Sequence, residues 1–136
     1  MVAVHATAPR WESTDWSAIV ALYDALDAAA PSPIVKMNRA IAVSMQRGPR
    51  AGLAALKEVA RELEEHHLFH AARADLLERA GKDPRPALGK ALSLATNDAE
   101  RRLLRARLAR ASDAARALRE NDDAGSDEDP GSGSAR

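Results

Sequence analysis

Glu62, His66 and His70 recur every fourth residue, so on an unbroken helix they would share one face, with His67 beside them. Two imidazoles at that spacing can share a zinc ion, and the carboxylate would be a third ligand. No further ligand is evident except His5, and Leu68 opens a new helical pattern that would break the face. Ordinary, partly exposed histidines are therefore the preferred reading, and no metal is expected. Other chemistries lack their groups. There is no cysteine, which removes disulfides, thiolate zinc sites and cysteine nucleophiles together. The chain holds no H-E-x-x-H and no G-x-S-x-G. Gly48-Pro49-Arg50-Ala51-Gly52 lacks the Lys-Ser/Thr that completes a phosphate loop. Asp24 and Asp27 stand among neutral residues, which gives paired-carboxylate catalysis no support. Neither an enzyme nor a cofactor is expected.

Two polar pairs stand out instead. Asn38 and Arg39 interrupt the apolar stretch from Ile34 to Val43. Asparagine is a poor residue for a helix interior, so its presence there points to a job for its side chain. The structural version has Asn38 bonding a backbone group of a neighbouring hairpin and Arg39 pairing with Asp15, Asp24 or Asp75. The functional version has both facing a ligand. Arg73 and Asp75, on either side of Ala74, invite the same choice, since a buried polar network would use both. Trp16 and Tyr23 are read as core residues first and binding anchors second.

The elements that must position these residues are helices. Asp15 or Thr14 can cap a first helix whose Trp16, Ile19, Val20, Tyr23 and Leu26 form one apolar face. Pro31-Ser32-Pro33 ends it and starts the next, with Ser32 as cap and Pro33 in the first turn. The second helix places Ile34, Met37, Ile41 and Met45 inward and stops at Gly48. Pro49 opens a third with the stripe Leu53, Leu56, Val59 and Leu63. A fourth covers about Leu68 to Ala80, with Gly81 as its stop. Asp83-Pro84 opens a short fifth, which Pro86 and Gly89 are expected to weaken. Asn97-Asp98-Ala99-Glu100 reads as a capping box for the sixth, whose apolar positions fade after Ala111. The connections are short, so successive helices should lie antiparallel. Gly48 and Gly81 each precede a Pro-opened helix and lie 33 residues apart, the period of tetratricopeptide-like arrays. The fold class expected is all-α, about six helices in antiparallel hairpins, tetratricopeptide-like.

Composition sets the class. The chain has 136 residues, 46% of them hydrophobic, which fits one packed domain. Aromatics are only 3%, too few for a single-strand nucleic-acid platform built on stacking. No apolar run approaches a membrane span, and Met1 to Arg10 lacks a secretion signal, so a cytoplasmic location is expected. Lys plus Arg equals Asp plus Glu at 20 each, but the charge is uneven. Residues 120–136 carry −5 and residues 1–119 carry +5. The domain is therefore placed at 1–119, and 120–136 is expected to be a disordered acidic Gly/Ser-rich tail. Seven arginines between 101 and 119 face one acid, Asp113, which reads as a solvated helix or a surface for an acidic partner or nucleic acid.

Several multi-residue blocks occur in order along the chain. They begin with Val4-His5-Ala6, Thr14-Asp15-Trp16, Leu22-Tyr23-Asp24 and Pro31-Ser32-Pro33. Asn38-Arg39-Ala40-Ile41-Ala42-Val43, Gly48-Pro49, Ala51-Gly52-Leu53 and His70 to Leu77 follow, then Gly81, Ala91-Leu92 and Glu100-Arg101. Over about residues 2–108 the chain resembles the C-terminal, tetratricopeptide-like extension of bacterial extracytoplasmic-function (sigma-24 type) RNA polymerase sigma factors. In that family the extension follows the sigma-2 and sigma-4 domains, which read the −10 and −35 promoter elements. Neither domain is recognisable here, and no helix-turn-helix is evident. The stretch from Gly81 to Leu92 is about two residues shorter than in the family.

The resemblance implies a regulatory protein-interaction module that modulates transcription initiation by contacting sigma-factor domains or RNA polymerase core. It implies no promoter binding by this chain alone, and nothing points to a membrane or a small-molecule substrate. The residues expected to contact the partner, in a groove between the first two hairpins, are Asp15, Trp16, Tyr23, Asn38, Arg39, Arg73 and Asp75. Two alternatives are a free-standing helical-repeat scaffold with an unrelated peptide partner, and a weak nucleic-acid binder using the arginine-rich last helix.

Overall fold

A computed structural model of the chain describes residues 14–126. Six α-helices follow one another among these residues: α1 (Trp16–Ala29), α2 (Pro33–Arg47), α3 (Pro49–Leu56), α4 (His67–Arg79), α5 (Arg85–Leu94) and α6 (Asp98–Ser126). The described residues contain no strand. The expectations for Val4-His5-Ala6 and for residues 127–136 lie outside the described residues.

Local chemistry sets most of the boundaries. Asp15 Oδ1 accepts from the Ala18 N–H at 3.1 Å and starts α1. Ser32 Oγ accepts from the Ile34 N–H at 3.2 Å, and Pro33 occupies the first turn of α2. α4 ends in a Schellman turn: Gly81 has φ +76°, its N–H donates to Glu78, and the Lys82 N–H donates to Leu77. Asp83, two residues before α5, accepts from the Arg85 N–H at 3.0 Å through Oδ1 and so satisfies the helix's first free N–H. The Arg85 side chain bonds the same carboxylate and holds its pKa below the ordinary value. Asn97 Oδ1 accepts from the Glu100 N–H at 2.7 Å, which is the forward half of the expected capping box, while Glu100 Oε2 accepts from the Asn97 side-chain amide at 3.2 Å in place of its backbone N–H.

Three boundaries differ from the sequence expectation. The third helix is α-helical only to Leu56 and then tightens into a 3-10 segment, Lys57–Val59. Its apolar residues explain this. Leu53, Leu56 and Val59 are spaced by three, and three residues per turn keeps them in one row. Pro86 does not weaken α5, because it falls in the first turn, where its missing N–H has no intrahelical acceptor. The last helix continues through residues 120–126, where a disordered tail was expected to begin. The Ala- and Arg-rich run before it has high helix propensity, and extending a formed helix fixes only one further residue per bond.

α1 and α2 are antiparallel, as their side chains record: Lys36 meets Asp27, Arg39 meets Asp24, and Gln46 meets Ser17. Each step forward on α2 is a step back on α1. Three apolar clusters follow in series. Val20, Ala42 and Val43 join α1 to α2, with Trp16, Ile19 and Tyr23 packed around them. Met37, Ala40, Leu56, Val59, Leu63, Phe69 and Leu76 join α2, α3 and α4. Ala74, Ala87, Leu88, Ala91, Ala95 and Leu104 join α4, α5 and α6. α2 and α4 each serve two clusters, so they are buried on two sides. α1 packs mainly on α2, with Ala51 of α3 beside the same cluster, and Leu26, expected to point inward, is half exposed.

The tightest approach is at Gly52. A Cβ built there would stand 2.5 Å from Ser44 Cβ, 3.0 Å from Leu76 Cδ1 and 3.1 Å from the Ala40 carbonyl oxygen. Two of these atoms are fixed by the α2 backbone, so they cannot rotate away. Gly52→Ala should therefore destabilise the fold by about 1–3 kcal/mol. Gly89, inside α5, has nothing within 4 Å of such a Cβ, and Gly89→Ala should stabilise by about 0.5–1 kcal/mol. Urea unfolding of the two variants would measure both, and equal effects of one sign would contradict the packing at Gly52.

Candidate functional site

The residues expected to contact a partner divide between two parts of the molecule. Asp15 is the cap of α1. Trp16 and Tyr23 pack beside Val20, Ala42 and Val43, and Trp16 Nε1 is buried without a hydrogen bond. Arg39 Nε donates to Asp24, one of the three partners the sequence allowed. Asn38 is half-buried on α2. Arg73 and Asp75 lie on α4, on opposite sides of the fully buried Ala74. Asp75 stands 3.9 Å from Arg79, whose guanidinium reaches across to Ser44 Oγ (2.9 Å) and Met45 Sδ (3.2 Å) on α2. Ser44 is the buried polar residue of the core, and it also donates to the Ile41 carbonyl at 2.6 Å. Arg73 looks the other way, toward α3.

There it lines a trough of about 510 Å³ between α3 and α4. α3 and the 3-10 segment contribute Arg50 and Lys57 to its rims, and α4 and the following turn contribute Arg73 and Lys82. All four cations are exposed, and none forms an ion pair or side-chain hydrogen bond among the described residues. No carboxylate lines the trough. Its floor is apolar, made by Leu53, Leu56 and Leu77 over the buried Phe69. A shallower depression continues past Ala60 and Phe69 to Arg61, Glu64 and His70, sharing Arg73 with the trough. The expected set therefore names one residue of the trough and misses Arg50, Lys57 and Lys82. A signal for two of them was present: Arg50, Leu53 and Lys57 repeat at three and then four residues, one stripe of a helix.

The histidines take separate partners. α4 begins at His67, so His66 sits at its cap and Glu62 lies in the preceding turn, off any shared face. His67 Nε2 lies 2.8 Å from Glu100 Oε1, tying α4 to α6. His70 Nε2 donates to the Glu64 carbonyl at 2.7 Å. His66 Nδ1 is buried without a partner, and the two rings stack at 5.6 Å. Among the described residues no group of three or more His, Cys, Asp or Glu could hold a metal ion, and no helix is long and apolar enough to cross a membrane.

No family model matches the chain, and no solved structure matches it. Among curated proteins it is similar to an uncharacterized protein of Rhizobium meliloti (strain 1021), 41% identical over 110 residues. Those residues are 79% of this chain and 26% of that protein. The relative therefore runs to about 420 residues (110 divided by 0.26), and the match spans about a quarter of its length.

The α1–α2 ion pairs give the hairpin an acid sensitivity. Asp27 Oδ2 accepts from Lys36 Nζ at 2.6 Å, and this bond is the main reason its carboxyl titrates below the ordinary 3.8. The unfolded chain lacks the bond. Between the two values the unfolded chain binds a proton that the folded chain does not, so stability decreases as the pH is lowered through that window. The contribution is whole above the ordinary value and lost below the depressed one. Lys36→Met should therefore shrink the drop in urea midpoint between about pH 6 and about pH 3. An unchanged drop would mean the pair contributes nothing in solution.

Proposed function

We propose that this chain is a regulatory protein-interaction module of a bacterial extracytoplasmic-function sigma factor, acting in the cytoplasm on transcription initiation. It works by contact with sigma-factor domains or RNA polymerase core, without catalysis, cofactor or direct promoter binding. The observation that carries the reading is the open trough between α3 and α4, with unpaired cations on both rims and an apolar floor. A surface of that kind is made for another macromolecule.

The proposed partner follows from the resemblance. Blocks such as Asn38 to Val43 and His70 to Leu77 resemble the sigma-factor extension, and these two blocks fall on the two helices that join the three clusters. The much longer Rhizobium protein is consistent with a module that works as part of a larger chain.

Immobilised chain should retain purified bacterial core polymerase or a sigma-2/sigma-4 domain pair from the same organism. Retention of neither would remove the reading. Asn38→Ala combined with Arg39→Ala should weaken that retention while shifting the melting temperature little, because exposed ion pairs such as Arg39–Asp24 contribute about 0.2–1 kcal/mol. A lowered melting temperature with intact retention would make the two residues part of the scaffold.

A further inference from the structure

Four cations line one trough with no acid among its lining residues. Arg50 and Lys57 on one rim and Arg73 and Lys82 on the other sum their potentials over the apolar floor. Other cations of the same fold do have carboxylate partners, Lys36 with Asp27, Arg39 with Asp24 and Arg85 with Asp83 among them, while several arginines of α6 have none among the described residues; what sets the trough apart is that its unpaired cations surround one apolar floor. The trough thus presents positive charge that the described residues leave uncompensated, together with leucine side chains that an apolar group would cover.

We propose that the α3–α4 trough binds an acidic, leucine-bearing helical segment of a partner protein, carboxylates on the rim cations and leucines on the floor. The inference rests on reading the chain as a protein-interaction module and adds the chemistry of what it holds. A helix suits the site because both walls are helices whose backbone groups are already bonded, leaving side chains to do the recognising. Nucleic acid suits it less. The aromatic ring of the trough, Phe69, is 3% exposed and offers no face for a base to stack on. The floor is aliphatic, which favours leucine over a base.

The test uses the whole chain and a fluorescein-labelled amphipathic peptide with glutamates on one helical face and leucines on the other. Anisotropy should report saturable binding that weakens steeply between about 0.05 and about 0.3 M salt. Lys57→Glu with Arg73→Glu, and separately Arg50→Glu with Lys82→Glu, should each weaken it about tenfold or more. Arg102→Glu with Arg105→Glu, on the exposed face of α6 away from the trough, should leave it unchanged. Two trough pairs, each taking one cation from either wall, keep the test decisive if one variant folds poorly by circular dichroism. The proposal is overturned if the peptide does not bind, if a lysine-for-glutamate peptide binds as well, or if the α6 variant weakens binding as much. It is equally overturned if a single-stranded oligonucleotide, or a peptide of residues 120–136, binds the same trough more tightly. Polymerase retention that survives the trough substitutions would sink this inference and leave the module reading standing. Peptide binding by a chain that retains neither polymerase nor sigma domains would do the reverse.

Discussion

Three helices can meet at Gly52 only because it has no side chain. Ala40 and Ser44 of α2 and Leu76 of α4 close around that point, and this closeness brings Arg79 of α4 within reach of the buried Ser44. The hydroxyl then satisfies both its lone pair and its proton inside the core, accepting from the guanidinium and donating to Ile41. Small residues on three helices, Ala40 of α2, Ala74 of α4 and Ala91 of α5, are each fully buried. The trough inherits its geometry from this contact. With α3 held against α2 and α4 at Gly52, Leu53 and Leu77 on the flanks of α3 and α4 stay partly open to the trough.

Much of this architecture is legible in the residues. The caps Asp15, Ser32 and Asn97, the stop at Gly81 and the Pro-opened turns all use side-chain or backbone chemistry confined to a few neighbouring positions, so local reading suffices. What escapes it depends on distant neighbours. α2 has no single apolar stripe, because Met37 and Ala40 face one cluster while Ala42 and Val43 face another. Reading Ile34, Ile41 and Met45 as its inner face follows from size alone, whereas Ala40, Ala42 and Ser44 are more deeply buried. α4 hides its pattern for the same reason. The shortening of α3 lay in view as a spacing of three, which a period of 3.6 absorbs without complaint.

The candidate surface was harder to read because its cations come from three separate stretches, α3, α4 and the turn after it. Only Arg73 stood out beforehand, and it did so as half of a pair with Asp75 that the fold separates. Ala74 lies between them at the bottom of the core, so its two neighbours must leave on opposite flanks. One flank ties α4 to α2 through Arg79; the other supplies the rim of the trough. A single turn of helix thus serves the scaffold with one carboxylate and the outer surface with one guanidinium.

The serial core has a further consequence for how the chain comes apart. Among the described residues no apolar cluster joins all six helices; each joins neighbouring ones, and the buried residues of α2 and of α4 divide between two. Such an array behaves as a one-dimensional chain of coupled units rather than as one cooperative block. Its ends can exchange amide protons by opening locally while the middle stays closed. α6 is the extreme case: 29 residues, about 44 Å of helix, fastened mainly over its first turns by Leu104, Leu108 and the Glu100–His67 contact. A force or a ligand acting on its far end would peel it from α5 turn by turn, leaving α2, α3 and α4 intact around Gly52.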